Sequence, residues 1–232
     1  MHLAPRTGFP HIVNNWLGLI ICAVYIFGLI GLAEGLRHWR GYSSFFTRKV
    51  IHIGVGLLIW AVPFLFTSPW PFILACFGFA ILTFLDWRFG FFQAMASSNR
   101  QNLGTVYFPL AAAAVVYLFW DTPPLMVAAL MPLTLGDGLA PVIGKYGTHE
   151  YHIHSSRRTI EGTIGFFVAA AVGTWFALWV MPGIPELTPL EAVAPAIVVA
   201  LATALVEAVS LWGVDNLTVT ATAIVILAIW PF

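Results

Sequence analysis

Eight runs of mostly apolar residues divide the chain, at about 16–35, 49–66, 70–86, 104–120, 124–143, 162–181, 189–212 and 216–230. A helix that crosses the hydrocarbon core needs roughly 20 such residues, with ~17 as the lower bound. The pattern therefore predicts an all-α, polytopic membrane bundle of about eight transmembrane helices, a single domain over 1–232, with the fourth and last helices short. The polar connectors alternate in character. Residues 67–69, 121–123 and 182–188 are brief, Pro-rich and free of Lys and Arg. The other set carries Arg37, Arg40, Arg48, Lys49, Arg88, Arg100, Lys145, Arg157 and Arg158, all the cationic side chains except Arg6. By the positive-inside rule that set faces the cytoplasm and both termini face outward. The first 15 residues lack a charged region followed by a small-residue cleavage site, so 16–33 reads as a retained span rather than a signal peptide.

Polar positions that interrupt the runs fall at one level. Glu34, His52, Asp86, Glu207 and Asp215 lie at or near the cytoplasmic ends of their segments, and Asp137 lies a few residues inside one. A charge at the bilayer centre costs ~2.5–3.5 kcal/mol on insertion scales, so such groups face a cavity or one another. A helix-end charge that marks the interface explains Glu34 or Arg88. It does not explain Asp137 or Glu207, which lie up to two turns from the loop.

Composition agrees with the hydropathy: 60% hydrophobic and 9% charged residues define an integral membrane protein. Ten Lys and Arg balance ten Asp and Glu with no basic run, which argues against a nucleic-acid partner. Cys22 and Cys76 sit in apolar runs without metal spacing and read as small core residues.

The chemistry concentrates in the stretch 136–162, GDGLAPVIGKYGTHEYHIHSSRRTIEG, which reads as the main nucleotide loop. Gly136, Gly138, Gly144, Gly147 and Gly162 allow close backbone approach, and Lys145, Arg157 and Arg158 supply positive charge, a combination suited to phosphate. It is not a Walker A loop, since GxxxxGK[ST] is absent. Asp137 suits Mg2+, which takes one or two carboxylates plus phosphate oxygens, and Glu161 is the natural second carboxylate. Both could instead pair with Arg157 or Arg158. His149, His152 and His154 lack a closed four-ligand zinc set. Earlier, Arg48 and Lys49 share a helix face with His52, three and four residues on, and make an anion site at the start of the second span; the plainer reading is a positive flank, which needs no imidazole. Later, Glu207 and Ser210 share a face, while Asp215 and Asn216, after Gly213, suit the N-cap of the last span.

Together RKVIH at 48–52, GDGLAPVIGKYG at 136–147, RTIEG at 158–162 and EAVSLWGVDN at 207–216 resemble the CTP-dependent lipid kinases, the family that includes dolichol kinase, phytol kinase and the fungal diacylglycerol kinase. The resemblance implies transfer of the CTP γ-phosphate to a membrane-embedded lipid hydroxyl, with Mg2+ held by Asp137 and Glu161. Lys145 and Arg158 would act on the transferred phosphate, and Arg48, Lys49, Arg157, Thr159 and Asn216 would contact the nucleotide. His52, Asp86, Glu207 or Asp215 would orient the hydroxyl. Two positions depart from the family pattern: Arg158 stands where Lys is usual, and Pro141 stands where phytol kinases tend to carry an acid. A cytidylyltransferase forming a CDP-lipid is the nearest rival, and its long basic and acidic C-terminal signature is missing. A small secondary transporter would place its site at the midplane between repeated halves, and no repeat is visible.

The charge pattern predicts that the loop from Gly144 to Arg158 is cytoplasmic and that residues 182–188 are external. Single cysteines at Ser155 and Thr188, in a background lacking Cys22 and Cys76, should label from opposite sides of the membrane. Labelling of Ser155 from outside intact cells overturns the topology.

Overall fold

A computed structural model describes residues 14–92, 103–153, 156–210 and 213–232, with Ser156 by its backbone alone. Arg6, Arg100, His154, Ser155, Leu211 and Trp212 lie outside the described residues. The helices are α1 (Asn15–Arg40), α2 (Ser44–Leu57), α3 (Val62–Leu65), α4 (Trp70–Phe89), α5 (Gly104–Leu118), α6 (Pro123–Met131), α7 (Gly138–Gly144), α8 (Ile160–Val180), α9 (Val193–Val209) and α10 (Asp215–Ile229). A π-helical stretch, Pro132–Asp137, joins α6 to α7, and a hairpin of β1 (Glu150–Ile153) and β2 (Ser156–Thr159) precedes α8. The protein is thus the membrane helical bundle that the hydropathy predicts. Among the described residues, four helical rods are long and apolar enough to cross a bilayer, Asn15–Arg40, Trp70–Phe89, Pro123–Gly144 and Ile160–Val180, while α5, α9 and α10 are shorter. The predicted second span is broken: α2 gives way at Leu58–Trp60 to a tighter turn, and Pro63 lies in the short α3.

Local chemistry sets the helix ends. Asn14 Oδ1 accepts the Leu17 N–H at 2.9 Å to open α1, and Gly41, at φ 67°, closes it in the left-handed conformation that glycine adopts without a Cβ penalty. Before α9, Thr188 and Glu191 exchange side-chain-to-backbone bonds: Glu191 accepts the Thr188 N–H at 2.8 Å and Thr188 Oγ1 accepts the Glu191 N–H at 3.3 Å. This is a capping box, and its hydrogen bonds hold the Glu191 carboxyl below the usual range.

The rod of α6, the π stretch and α7 is the axis of the bundle. Every residue of α6 is buried, whereas the other long rods bury a third or less of their apolar window. A helix apolar on all sides needs neighbours on all sides, and α5, α8 and α10 surround it. Gly144 and Gly162 bring α7 and α8 together: a Cβ on Gly162 would lie 3.1 Å from the Ala140 carbonyl oxygen and 3.2 Å from Gly144 Cα. In a membrane, where lipid competes equally for apolar surface, small residues let backbones approach and pack.

Gly56 fixes α2 against the same axis, because a Cβ there would meet Thr134 Oγ1 at 2.3 Å and Cγ2 at 2.5 Å. Replacing Gly56 with Ala should destabilise the purified protein by ~1–3 kcal/mol through overpacking. Thr134→Ala, which removes both atoms, should restore part of that loss. Thermal melting in detergent of the two single variants and the double variant measures the coupling.

Candidate active site

The N-terminal ends of α2, α5, α8 and α10 and the C-terminal ends of α4, α7 and α9 meet at one end of the bundle around a cavity of about 870 Å3. Its size lies within the range of small-molecule sites. Its charged wall holds Arg48, Lys49, Lys145, Arg157 and Arg158 against Asp137, Glu207 and Asp215, while Val55, Phe79 and Phe108 make an apolar wall.

At the centre, Lys49 from α2 reaches the axial rod. Its Nζ donates to Asp137 Oδ2 at 3.0 Å and to the Asp137 carbonyl oxygen at 2.8 Å. That carbonyl is available because of Pro141. Four residues on, where a helix would place an N–H, proline has none. Pro141 therefore leaves an acceptor that Lys49 fills. One turn along α2, His52 Nε2 lies 2.8 Å from the Leu133 carbonyl oxygen in the π stretch and 3.4 Å from Asp137 Oδ2. A carbonyl only accepts, so Nε2 carries the proton and Nδ1 is the acceptor of the neutral ring. Phe108 packs edge-on against the imidazole, with centroids 4.8 Å apart.

A second ion pair joins the hairpin to α9. Arg158 donates through Nη1 to Glu207 Oε1 and through Nη2 to the Ser210 carbonyl oxygen, the latter at 2.8 Å, while its buried Nε has no partner among the described residues. Thr159 caps α8 by accepting the Gly162 N–H at 3.1 Å, which fixes where β2 ends and where Arg158 points. Arg157 pairs across the hairpin with Glu150. Arg48 and Lys145 line the cavity with no ion-pair partner among the described residues, and the Asp215 carboxylate accepts only the Asn216 N–H, at 2.9 Å.

Several sequence expectations are corrected. Residues Gly136–Gly144 are helical, so the nucleotide loop 136–162 begins only after α7, and the N–H groups within the helix are not displayed to a ligand. The motif glycines serve packing instead. A Cβ on Gly136 would meet the Phe166 ring, one on Gly138 would meet Ile53, and one on Gly147 would meet Glu161 and Thr159. Arg48 and Lys49 lie in the second turn of α2, which begins at Ser44 with Ser43 as its cap, and so are not at a helix N-terminus. Val214 precedes α10, so neither Asp215 nor Asn216 is its N-cap; the Asn216 amide donates to the Gly104 carbonyl at 2.5 Å and ties α10 to α5.

The five acids and the imidazole do not all converge. His52, Asp137, Glu207 and Asp215 line the cavity, whereas Asp86 accepts the Phe92 N–H at 2.7 Å beyond α4 and Glu34 pairs with Arg37 at 3.3 Å. Glu161 is also elsewhere: it clamps the root of the hairpin, accepting from the Thr148 N–H at 2.9 Å and facing His149 Nδ1 at 2.8 Å. It does not share the cavity with Asp137, so the carboxylates that do, Asp215 and Glu207, replace it as candidate metal ligands. No three acid or imidazole groups among the described residues enclose an ion by themselves. Phe108, part of this site, carried no sequence signal, being an apolar residue inside an apolar run.

Such a cavity, charged on one wall and apolar on the other at the end of a membrane bundle, suits a membrane-embedded enzyme that joins a charged substrate to an apolar one. The chain is 28% identical over 213 residues to a phytol kinase of Synechocystis sp., covering 90% of both chains. It is 24% identical over 219 residues to the chloroplastic farnesol kinase of Arabidopsis thaliana, covering 88% of this chain and 71% of that one. It is also 24% identical to a probable chloroplastic phytol kinase 3 of Glycine max, over 77% of this chain and 61% of that one. No family model and no solved structure matches it. The chain is a homologue of these kinases and is itself a kinase.

The Lys49–Asp137 pair is both structural and electrostatic. Removing one partner of a buried pair strands the other charge, at ~3–5 kcal/mol. Lys49→Met and Asp137→Leu should each lower the melting temperature, and the double variant should recover much of it. Asp137→Asn should stay folded, since Lys49 keeps the carbonyl. All four variants should be inactive; turnover surviving Asp137→Asn would remove Asp137 from the chemistry.

Proposed function

We propose that the protein transfers the γ-phosphate of CTP, with Mg2+, to the hydroxyl of a single-chain isoprenoid alcohol of the phytol or farnesol type, at the cytoplasmic face of the cytoplasmic membrane. The observation that carries this reading is the two-sided cavity. A water-soluble polyanion needs cations and an opening to water, and a bilayer alcohol needs an apolar wall at the depth where its hydroxyl rests. Both walls border one space.

In this reading Arg48, Lys145 and the Arg158 guanidinium receive the triphosphate. Phosphoryl transfer asks mainly for positioning and charge stabilisation. The acceptor oxygen forms a bond to the γ-phosphorus as the bridging bond to the β-phosphate oxygen breaks, and the hydroxyl proton passes to His52 Nδ1. Lys49 holds Asp137 in place, and Glu207 and the Ser210 carbonyl hold Arg158. Asp137 and Asp215 would hold Mg2+, which would supply further neutralisation of the developing charge.

With label in the γ position of CTP and of ATP, and a panel of isoprenoid alcohols and diacylglycerol, label should pass from CTP into the isoprenoid lipid. Label released as pyrophosphate would sink the reading. Arg158→Lys tests the cationic wall. Lysine cannot reproduce the planar fork by which the guanidinium spans Glu207 and Ser210 at the cavity wall, so kcat should fall by ~10²-fold, the scale of one lost transition-state donor.

A further inference from the structure

Behind the apolar wall lies a second, narrow crevice of about 60 Å3 between α1, α2, α4 and α5. It adjoins the main cavity across a shared wall, since Val55, Phe79, Phe108 and Pro109 line both. Its direction can be read along three helices. On α2 the lining passes from His52 to Val55 to Leu58; on α4, which runs the opposite way, from Thr83 to Phe79 to Cys76; on α5 from Thr105 to Phe108 to Ala112. Each step is one helical turn of about 5.4 Å. The crevice therefore descends one to two turns from the level of His52 toward the middle of the bundle.

Its chemistry is that of hydrocarbon. The thiols of Cys22 and Cys76 are its most polar side chains, and neither offers more than a weak hydrogen bond. Since about 10–15 Å3 holds one water-sized group, it takes about four to six heavy atoms, the scale of one isoprene unit and a single chain wide. It also has a way in. Ala75 lines the crevice yet is exposed on the outer surface of α4, and neighbouring α1 buries only Gly18, Cys22, Ile30 and Ala33. The seam between α1 and α4 thus opens to the bilayer.

We infer that this crevice seats the tail of the acceptor alcohol next to its hydroxyl end, entering sideways from the membrane between α1 and α4, and that its single-chain width selects isoprenoid over diacyl acceptors. The inference rests on the proposed reading of the main cavity as the place where a lipid hydroxyl is phosphorylated.

A farnesyl-length alcohol with a diazirine within its first ten carbons tests occupancy in the full-length protein without requiring turnover. Adducts should map to Leu58, Cys76 and Ala112 and be competed by unlabelled alcohol. Adducts confined to the lipid-facing Val24, Leu74 and Ile81, or not competed, overturn the inference. Specificity is tested with Ala112→Leu, which fills the crevice. It should lower kcat/KM at least 10-fold for farnesyl- and phytyl-length alcohols while leaving the five-carbon alcohol within about threefold. Adding Cys76→Ala should restore part of the long-chain activity. Equal loss at every length, or no loss, overturns the inference. The two readings fail differently: competed crevice adducts without phosphorylation of any alcohol would defeat the acceptor assignment and keep the tail site. Phosphorylation with adducts only elsewhere would do the reverse.

Discussion

The contact between Lys49 and Asp137 is the constraint from which the rest of the site follows. It joins α2 to the axial rod at a depth where neither charge is well hydrated, with both side chains nearly buried. A pair of this kind adds little stability over an apolar substitute but is expensive to break. What it fixes is register. Lys49 can reach both the carboxylate and the carbonyl of Asp137 only if α2 stands at one height against α7, and Pro141 makes the carbonyl available. That height sets His52 against Leu133 and Asp137, and one turn deeper Gly56 meets Thr134 without a Cβ between them.

The hairpin is positioned by a separate chain of contacts that ends in the same cavity. Close packing of Gly144 on Gly162 sets α8 against α7, Thr159 caps α8, and Glu161 in its first turn clamps the return of the chain at Thr148 and His149. Arg158 then has one direction open to it, toward Glu207. Glu207 thus has a role that helix-end charge could not supply: it holds a guanidinium at the cavity wall.

Helical spans were legible in the sequence because an apolar run of membrane length admits few other structures. The convergence of His52, Asp137, Glu207 and Asp215 was legible for the same reason, since polar groups in such runs need one another. The loop reading of 136–144 failed because glycine is ambiguous. In soluble chains a Gly-rich stretch signals a turn, but between membrane helices it signals close packing, and nothing in GDGLAPVIG distinguishes the two. Pairing Asp137 with Glu161 failed for a geometric reason. Their separation in sequence spans a helix end, a turn and a hairpin, and that turn directs Glu161 to the hairpin root. The strands β1 and β2 are too short for alternation to show, and the apolar crevice beside Phe108 is invisible until the helices are packed.

Charge bookkeeping around the cavity adds one step. Arg48, Lys49, Lys145, Arg157 and Arg158 face Asp137, Glu207 and Asp215, an excess of two cations among the lining groups. Glu150, paired with Arg157 outside the lining, reduces it to one. A triphosphate carries more negative charge than this excess can offset. Were all the cations free, the empty cavity would repel itself in a low-dielectric setting, whereas with Lys49 and Arg158 already paired it is tolerable. In the proposed reading the remainder is offset by a divalent cation that arrives with the polyanion. Asp215, the lining carboxylate without a cationic partner among the described residues, is the group proposed to receive that ion.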